Sequence, residues 1–596
     1  MNNLHSKVKK ATKRILETTN LQHSWVSGTS ISNYLLKDPV IDWLKTYYNT
    51  YGLNNHRVTR SNGVRIKTKN RDTTSNVLMK NGCHFETKIY TDLIQKFGND
   101  VVNLNALHDF THEQKPIAFA KTLDEMQKKT PIILQAYIKS DKLKLEGITD
   151  ILIRSDYINK LTKRQCIVPD NNSIHYMVID IKWSNMSLCV DGKTIRNDGR
   201  FKAYKGQLLI YNIILGELQG YTPSQTFIMP KSWNIDKVGD EQWGQSCYDL
   251  LGVIDYANRD SSYVDETINA INWVRDVRTN GHGWSPLNPH IKEMCCNSCN
   301  QDDNWNSIKK DIMNETKDIT QVWMLTADQR NIAFDKGIKR WDDKRCQSSL
   351  FMKDGVKSKV INEILKINQH ELDKIKIGNV DNRFDWQHSS SRDFYIDYET
   401  ISEAFIENSN MDITNGKISD GFIFMIGIGF ENENGEFQHI SFECEDYIPS
   451  EEARIITNLK NFIGDSYETR LFHWGHVEQT LMNSALSRHP SIHWVNYDTI
   501  KWVDMCSVFT KAPIVVKGSL TFKLKDIAKA MYANGLISTK WESGELENGL
   551  IAMQEAITYY HQDKNYKKME SIRRYNLIDC KVIWDIVKYL RTILNE

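Results

Sequence analysis

Two sets of residues in this chain have the types and the spacing expected of divalent-metal sites. The first set holds three carboxylates and a lysine: Glu86, Asp150, Asp180 and Lys182. The second set holds four carboxylates: Asp397, Glu399, Glu478 and Asp579. Carboxylates that crowd together at the ends of strands repel one another unless a divalent cation neutralises them. A cation held in this way can activate water, so the two sets predict two sites for metal-assisted hydrolysis.

The first set depends on an apolar stretch that ends in Asp180-Ile-Lys182. Residues 175–183 are predicted to form a strand, and residues two apart in a strand point to the same face. Asp180 and Lys182 then project together, so the carboxylate can bind a metal ion while the ammonium orients or helps to deprotonate the attacking water. An apolar strand followed by Asp-x-Lys is common by chance, so this motif alone indicates little.

Three neighbouring motifs strengthen the first set. Gly-Cys-His-Phe-Glu86 lies on a predicted helix, and Gly-Ile-Thr-Asp150 places an acid at the start of a predicted strand. Gln207 and Tyr211 follow the Asp-x-Lys strand at positions i and i+4 of one helix face. The order and types of these four motifs, across roughly residues 80–215, resemble the RecB-type branch of the PD-(D/E)xK nucleases.

The resemblance implies a role for each residue of the first set. Three carboxylates would hold Mg²⁺ or Mn²⁺: Glu86, Asp150 and Asp180. The Ile181 carbonyl would be an extra ligand, and Lys182 would position the nucleophile. Gln207 and Tyr211 would contact DNA or brace the site. The sequence departs from the family pattern in the long gap before the Asp-x-Lys strand, which implies an insertion near residues 157–172.

Cysteines downstream raise the question of a thiolate cluster, because several members of this branch carry a cysteine-ligated iron–sulfur cluster. Four thiolates suffice for such a cluster or for zinc. The candidates are Cys295, Cys296, Cys299 and Cys346, with Cys83 upstream. Their spacing is only weakly like a metal knuckle and no compact fourth ligand is evident, so ordinary thiols are the preferred interpretation.

The second set combines a strand motif with a helix motif. Phe-Tyr-Ile-Asp397-Tyr-Glu399 ends an apolar strand with both acids on one face, and Tyr575 and Asp579 share a helix face at i and i+4. Between them, Glu478 follows a predicted strand. Together these motifs resemble the DEDD exonucleases of the RNase H-like fold. The likeness is greatest to the RNase H-like domain fused behind RecB-type domains in some bacterial and large-virus proteins.

By that resemblance, three acids bind two metal ions roughly 3.5–4 Å apart. These acids are Asp397, Glu399 and Asp579. Tyr575 would orient the attacking water. The middle acid departs from the pattern, because Glu478 stands where proofreading-type exonucleases carry aspartate. Asp504 is a rival for the same role. The identity of the middle acid, which is third in chain order, therefore stays open.

Basic residues beside the second set suggest contact with a phosphate backbone. Lys517, Lys523 and Lys525 surround a glycine turn, and side chains so placed could contact a phosphate backbone. A solvated turn leading into a helix at Leu524 explains them equally well. Near the N-terminus, the alternating stretch 64–69 would present three basic side chains on one strand face, or form a charged edge strand.

The elements that must position these residues alternate between helix and strand. The predicted helices are 82–97, 201–215, 357–368 and 569–594, and the predicted strands are 132–138, 147–153, 175–183, 394–397, 421–430 and 437–442. This order indicates an α/β protein, and in its C-terminal part a hairpin of strands followed by alternating helices and strands indicates a mixed sheet.

The resemblances and the pattern give one organisation for the whole chain. It comprises an N-terminal helical and basic segment (1–75), a restriction-endonuclease-like RecB-type nuclease domain (76–300), a helical connector (301–385) and an RNase H-like exonuclease domain (386–596).

Composition limits the compartment and the partners. The 596-residue chain has a net charge of +1, so any DNA or RNA binding must come from local patches. Its 11 cysteines are spread along the chain, which favours a reducing, intracellular compartment over secretion. No apolar run is long enough to span a bilayer. An intracellular protein, cytoplasmic, nuclear or viral in an infected cell, is therefore expected.

The function predicted from these observations is metal-dependent hydrolysis of DNA phosphodiester bonds in repair, recombination or processing. No P-loop is present in the sequence, so a separate helicase or polymerase is an expected partner. Two alternatives remain: a non-catalytic nucleic-acid-binding scaffold with one or both sites degenerate, and an exonuclease that processes RNA.

Overall fold

The computed structural model describes most of the chain as two compact units. The described residues are 13–15, 25–51, 73–104, 114–167, 174–237, 240–244, 246–301, 304–370, 372–402, 405, 421–542, 546, 549–562 and 564–595. The basic stretch 64–69 and part of the predicted insertion, 168–173, lie outside them. The described residues divide between Glu315 and Thr316 into an N-terminal and a C-terminal unit. Within the described ranges, no helix is long and apolar enough to cross a membrane.

A mixed sheet of eight described strands forms the centre of the N-terminal unit. These strands are β1 (Val26–Ser27), β2 (Val101–Asn103), β3 (Ile132–Ser140), β4 (Leu145–Arg154), β5 (Tyr176–Leu188), β6 (Gln225–Lys237), β7 (Asp240–Gly244) and β8 (Gly252–Asp255). Six of them follow in the order β2-β3-β4-β5-β6-β7, while β1 pairs with β4 and β8 pairs with β6. The pairs β3–β4 and β4–β5 are antiparallel, whereas β5 and β6 run parallel.

Helices cover both faces of this sheet. They are α1 (Ser32–Leu35), α2 (Val40–Tyr51), α3 (Thr73–Phe97), α4 (Gln114–Gln127), α5 (Phe201–Gln219) and α6 (Tyr263–Asn280), with α7 (Asn306–Thr316) at the division between the units. Apolar residues of α3 pack with one side of the strands, and those of α5 and α6 pack with the other. The central strands are apolar on both faces for this reason.

One residue changes the face to which the β3 side chains point. Ile132 and Leu134 contact the core beside α3, while Ile133 and Ala136 contact the core beside α5. Gln135 lies between them with a φ of 55°, in the left-handed region. A strand residue with this backbone conformation breaks the period of two, so the alternation changes face at Gln135.

A five-stranded mixed sheet forms the centre of the C-terminal unit. Its strands are β10 (Asp393–Ile401), β11 (Phe422–Glu431), β12 (Phe437–Glu443), β13 (Arg470–His473) and β14 (Lys501–Asp504), in the order β12-β11-β10-β13-β14; β9 (Ile375–Lys376) and β15 (Val515–Val516) form a separate pair. The first three strands of the sheet are antiparallel neighbours, and β13 runs parallel to both β10 and β14. The prediction of a mixed sheet that begins with a hairpin is confirmed.

Alternation along β10 determines which of its side chains meet the last helix. The helices of this unit are α8 (Ala327–Asp335), α9 (Val356–Gln369), α10 (Pro449–Ile463), α11 (Val477–Arg488), α12 (Met505–Lys511), α13 (Leu524–Ala533), α14 (Gly549–His561) and α15 (Tyr566–Asn595). Phe394 and Ile396 pack with α10, whereas Tyr395 packs in the core that holds most of α15. Asp397 and Glu399 share the parity of Tyr395, so they face α15.

The segment predicted to be a connector contains helices that pack within the C-terminal unit. Ile361 of α9 lies in the same hydrophobic core as Tyr395 of β10 and Ile583 of α15. Elsewhere the predicted helices and strands are found within a few residues of their expected bounds, apart from the N-terminal extension of α3. Asp150 is an exception in detail, because it lies within β4 and not at its start.

Candidate active sites

Three carboxylates of the C-terminal unit converge on one point. Asp397 and Glu399 come from β10, and Asp579 comes from α15. Each offers an oxygen atom that lies within 4.8 Å of those of the other two. Among the residues that the structure describes, no other group of three histidine, cysteine or acidic side chains meets that condition. We call these three residues the C-terminal acid cluster.

The electrostatics of the C-terminal acid cluster are unfavourable without a cation. Burial and the neighbouring Asp579 and Glu399 carboxylates hold the pKa of Asp397 well above its ordinary value. Burial and Asp579 do the same for Glu399. Burial raises the pKa of Asp579 to about 7, against the opposing effect of Lys525. Carboxylate oxygens are hard ligands that suit Mg²⁺ and Mn²⁺, so the donor set fits the metal that the sequence predicts.

Two aromatic residues hold Asp579 in place. The indole nitrogen of Trp541 donates to Asp579 Oδ1 at 3.1 Å. The Tyr575 hydroxyl, one helical turn before Asp579, also forms a hydrogen bond with this carboxylate. Burial and the charge of Asp579 raise the pKa of Tyr575, so the phenol stays protonated and donates. The predicted Tyr575–Asp579 pair therefore lies at the acid cluster.

Of the two rivals for the third ligand, Glu478 lies closer to the acid cluster. It lies in the first turn of α11 and is buried, and its charge raises the pKa of Asp397, although less than burial, Asp579 and Glu399 do. Asp504 has a different role: its Oδ1 accepts hydrogen bonds from the backbone N–H groups of Gly475 at 2.8 Å and Ser507 at 3.2 Å. Asp504 thus caps α12 and ties down the turn after β13.

Lys525 is the predicted basic residue that meets the acid cluster. Its ammonium lies 4.4 Å from the ring centroid of Tyr575 and 5.3 Å from that of Trp541. Burial lowers the pKa of Lys525, while the charge of Asp579 opposes that shift. Lys523 is exposed and Lys517 is half-buried.

In the N-terminal set, a lysine lies beside the acids. Lys182 Nζ lies 2.5 Å from Asp180 Oδ2 and 4.8 Å from the ring centroid of Tyr204. Burial lowers the pKa of Lys182, but the charges of Asp180 and Asp150 outweigh burial and raise it overall. The ammonium is therefore fixed in its charged form, as a residue that orients a nucleophile requires.

Asp150 and Glu86 complete this set, and both accept hydrogen bonds from neighbouring groups. Burial and Asp180 raise the pKa of Asp150 well above its ordinary value, and its Oδ2 accepts the Ile181 N–H at 2.7 Å. Burial also raises the pKa of Glu86, which accepts a hydrogen bond from Tyr90. Glu86, Asp150, Asp180 and Lys182 thus come together as predicted, although they lack the three-oxygen convergence seen at Asp397.

Gln135 is a residue of the N-terminal set that the sequence analysis did not identify. Its Nε2 donates to Glu86 Oε1 at 2.5 Å and lies 3.5 Å from Asp150 Oδ1, and it also contacts the Tyr90 hydroxyl. The amide therefore links a helix acid to a strand acid. The available signal was a single polar residue inside the apolar strand 132–138.

Gln207 and Tyr211 lie beneath the N-terminal set. Both are buried, and Gln207 Nε2 donates to the Tyr211 hydroxyl at 3.1 Å. A Cβ atom at Gly147 would lie 2.1 Å from Tyr211 Cε1, so only glycine lets the ring pack against β4 at this point. Of the two roles that the sequence allowed, their burial favours bracing the site over contacting DNA.

The cysteines that were considered for a cluster do not converge. Cys295 and Cys296 are buried, Cys299 is exposed, and Cys346 belongs to the other unit. Within the N-terminal unit, Cys295, Cys296 and Cys299 are all described, and their sulfur atoms do not all lie within 4.8 Å of one another. Burial raises the pKa of Cys346 to about 12, so this thiol stays protonated in the metal-free protein.

Comparison with protein-family models, with curated proteins and with solved structures gives no match to this chain. The likeness to RecB-type and RNase H-like nucleases therefore stays a prediction from the motifs. What each site can do chemically follows from the geometry of its own residues.

Proposed function

We propose that this protein is a Mg²⁺- or Mn²⁺-dependent nuclease that hydrolyses DNA phosphodiester bonds, with its main metal centre at Asp397, Glu399 and Asp579. The observation that carries the proposal is the convergence of their three oxygens within 4.8 Å, on a strand and a helix that are far apart in sequence. Such buried like charges are costly unless a cation joins them, and a structural role for them is hard to find.

Each residue around this centre has a part in the proposed reaction. The three acids hold the cations, and a bound divalent cation supplies charge neutralisation and an acidified water. The Tyr575 hydroxyl, which is hydrogen-bonded to Asp579, orients the attacking water. Lys525 sits over Tyr575 and can meet a substrate phosphate, which lysine binds as a point charge. Glu478 adds a further acid beside Asp397.

A second active site is proposed at the N-terminal set. Glu86, Asp150 and Asp180 are its metal ligands, and Lys182 is the residue that positions the nucleophile. The 2.5 Å ion pair of Lys182 with Asp180 supports this role, because it keeps the ammonium charged beside the acids. Buried Gln207 and Tyr211 brace the strand that carries these groups.

The family assignment belongs to the same proposal. The order of motifs and the mixed sheet of the C-terminal unit support a RecB-type PD-(D/E)xK domain followed by an RNase H-like domain of the DEDD type. DNA ends or single strands are the proposed substrates, with RNA as the alternative, and a helicase or polymerase is the proposed partner. An iron–sulfur cluster is not part of the proposal, because Cys295, Cys296 and Cys299 do not bring their three sulfur atoms together.

A cleavage assay tests this function. End-labelled single- and double-stranded DNA and RNA are incubated with Mg²⁺ or Mn²⁺ and three proteins: wild type, Asp180→Ala/Lys182→Ala and Asp397→Ala/Glu399→Ala. Each double variant is expected to lose a different set of products. The control is Asp504→Asn, since asparagine also caps helices and Asp504 lies outside the acid cluster.

The outcomes separate the competing functions. A double variant that cuts like wild type shows that the altered site is not catalytic on that substrate. A wild-type protein that cuts nothing with either metal, and whose melting temperature neither metal raises, favours a nucleic-acid-binding scaffold, because a bound cation stabilises the folded state.

A further inference from the structure

The last helix places an amide side chain against the C-terminal acid cluster. Asn576 is fully buried, and its Nδ2 donates to Asp397 Oδ2 at 2.9 Å and to the Asp397 carbonyl oxygen at 3.1 Å. The backbone carbonyl oxygen only accepts hydrogen bonds, so the nitrogen and not the oxygen of the amide must face Asp397. One side chain therefore holds both the carboxylate and the backbone of Asp397.

The other end of this amide is held by a histidine. With Nδ2 towards Asp397, the amide oxygen of Asn576 lies 3.3 Å from His439 Nε2 on β12. An amide oxygen only accepts, so Nε2 of the imidazole must carry a hydrogen. These hydrogen bonds link β12 to β10 through α15, and they prevent the amide group from flipping.

The space for this amide exists because β11 has a glycine opposite Asp397. Gly427 is the register partner of Asp397 in the antiparallel pair. A Cβ atom at Gly427 would lie 1.5 Å from Asn576 Oδ1 and 2.9 Å from His439 Nε2. Any other residue would displace the amide, so glycine at this position and asparagine on the helix depend on each other.

We propose that Asn576 is a positioning residue that holds Asp397 ready to bind a divalent cation. His439 orients its amide, and glycine at position 427 leaves the space that the amide occupies. This inference rests on the proposed function of the same acid cluster. Side chains that hydrogen-bond to metal ligands keep those ligands in the binding geometry, and removing them typically weakens metal affinity by about 10–100-fold.

The test measures Mn²⁺ affinity by calorimetry and the melting temperature of the full-length protein. The Asp180→Asn background is used so that binding reports on the C-terminal cluster. Asn576→Ala is expected to weaken Mn²⁺ binding about 10–100-fold. Gly427→Ala is expected to weaken it similarly and to lower the melting temperature, because the new methyl group collides with the amide.

The double variant Gly427→Ala/Asn576→Ala separates positioning from packing. The alanine methyl at 427 occupies part of the space that the amide leaves, so the melting temperature should recover above that of Gly427→Ala. Mn²⁺ affinity should stay low, because nothing holds Asp397. Recovery of affinity together with stability would overturn the positioning role.

A control on the same helix and a spectroscopic readout complete the test. Ile583→Ala removes a buried apolar side chain that cannot hydrogen-bond to Asp397, so it should lower the melting temperature and leave Mn²⁺ affinity unchanged. Nitrogen-15 spectra of the metal-free protein should show a hydrogen on His439 Nε2 in wild type, and this preference should be lost in Asn576→Ala.

Failure of this inference can be told from failure of the proposed function. A cluster in Asp180→Asn that binds no Mn²⁺ overturns the metal centre and this inference with it. A cluster that binds Mn²⁺ equally well with Asn576 or alanine overturns only the positioning role. An equal loss of affinity in Ile583→Ala also overturns it, because general loosening of the helix then explains the effect.

Discussion

The ammonium nitrogen of Lys182 lies 2.5 Å from Asp180 Oδ2, so the N-terminal acids carry a counter-ion supplied by their own strand. The C-terminal cluster has a cation nearby in Lys525, yet burial and mutual repulsion still hold the pKa of Asp397 and of Glu399 well above the ordinary range. Burial and Asp180 also hold the pKa of Asp150 well above the ordinary range, so both sites retain a demand for positive charge. The two sites differ in that the first holds a lysine in direct ion-pair contact with one of its acids.

Replacing Lys182 by methionine should expose that difference. The change keeps the length of the side chain and leaves the buried Asp180 carboxylate uncompensated, which costs about 3 kcal/mol of unfolding free energy in EDTA. Mn²⁺ should stabilise Lys182→Met more than wild type, because the cation takes the place of the ammonium. Denaturant unfolding with and without Mn²⁺ measures both effects. Lys128→Met, which breaks an exposed ion pair, should change stability little.

The stability of the metal-free protein should fall as the pH rises from about 4 to about 7. Burial raises the pKa of Asp579 from 3.8 to about 7, so over this interval the folded state keeps a proton that the unfolded state has lost. The unfolding free energy should therefore decrease with pH, and Asp579 alone contributes about 4 kcal/mol at most to that decrease. Asp579→Asn should make the curve measured in EDTA less steep. A wild-type curve that rises over the same interval would contradict the prediction.

The predictable part of these sites came from local periodicity. The period of two along β10 placed Asp397 and Glu399 on one face, and the helical spacing of four placed Tyr575 beside Asp579. These relationships need no knowledge of the rest of the fold, because the neighbours along the chain determine them.

The parts that could not be predicted depend on contacts between distant segments. Glu478 and Asp504 both lie next to the start of a helix after a strand, and only the assembled sheet shows that one faces Asp397 while the other caps α12. Likewise, a glutamine in an apolar strand gives no sign that Gln135 adopts a left-handed backbone, since residue propensities disfavour that conformation.

Trp541→Phe should separate the positioning of Asp579 from packing. The phenyl ring fills much of the same space but cannot donate the 3.1 Å hydrogen bond to Asp579 Oδ1. We expect a loss of about 1 kcal/mol in stability. We also expect a decrease in kcat of about tenfold with little change in KM, equivalent to about 1.4 kcal/mol in the barrier. Trp494→Phe is the matched control, because its buried indole N–H has no hydrogen-bond partner among the described residues. Equal effects of the two substitutions on kcat would contradict the role of Trp541.

At position 135, a glycine substitution should destabilise the protein less than an alanine substitution, which reverses the usual order in a strand. Glycine normally destabilises a strand relative to alanine, but at a φ of 55° the Cβ atom of alanine is strained and glycine is not. Both substitutions remove the amide that links Glu86 to Asp150, so their difference isolates the backbone. Gln135→Gly should therefore be about 1 kcal/mol more stable than Gln135→Ala in denaturant unfolding. The pair Ile138→Gly and Ile138→Ala, in the same strand and without a positive φ, should show the ordinary order. The contradicting outcome is that the alanine variant is the more stable protein at both positions. Residue 135 would then not have a left-handed backbone in solution, and the proposed way in which it directs its amide towards the acids would be wrong.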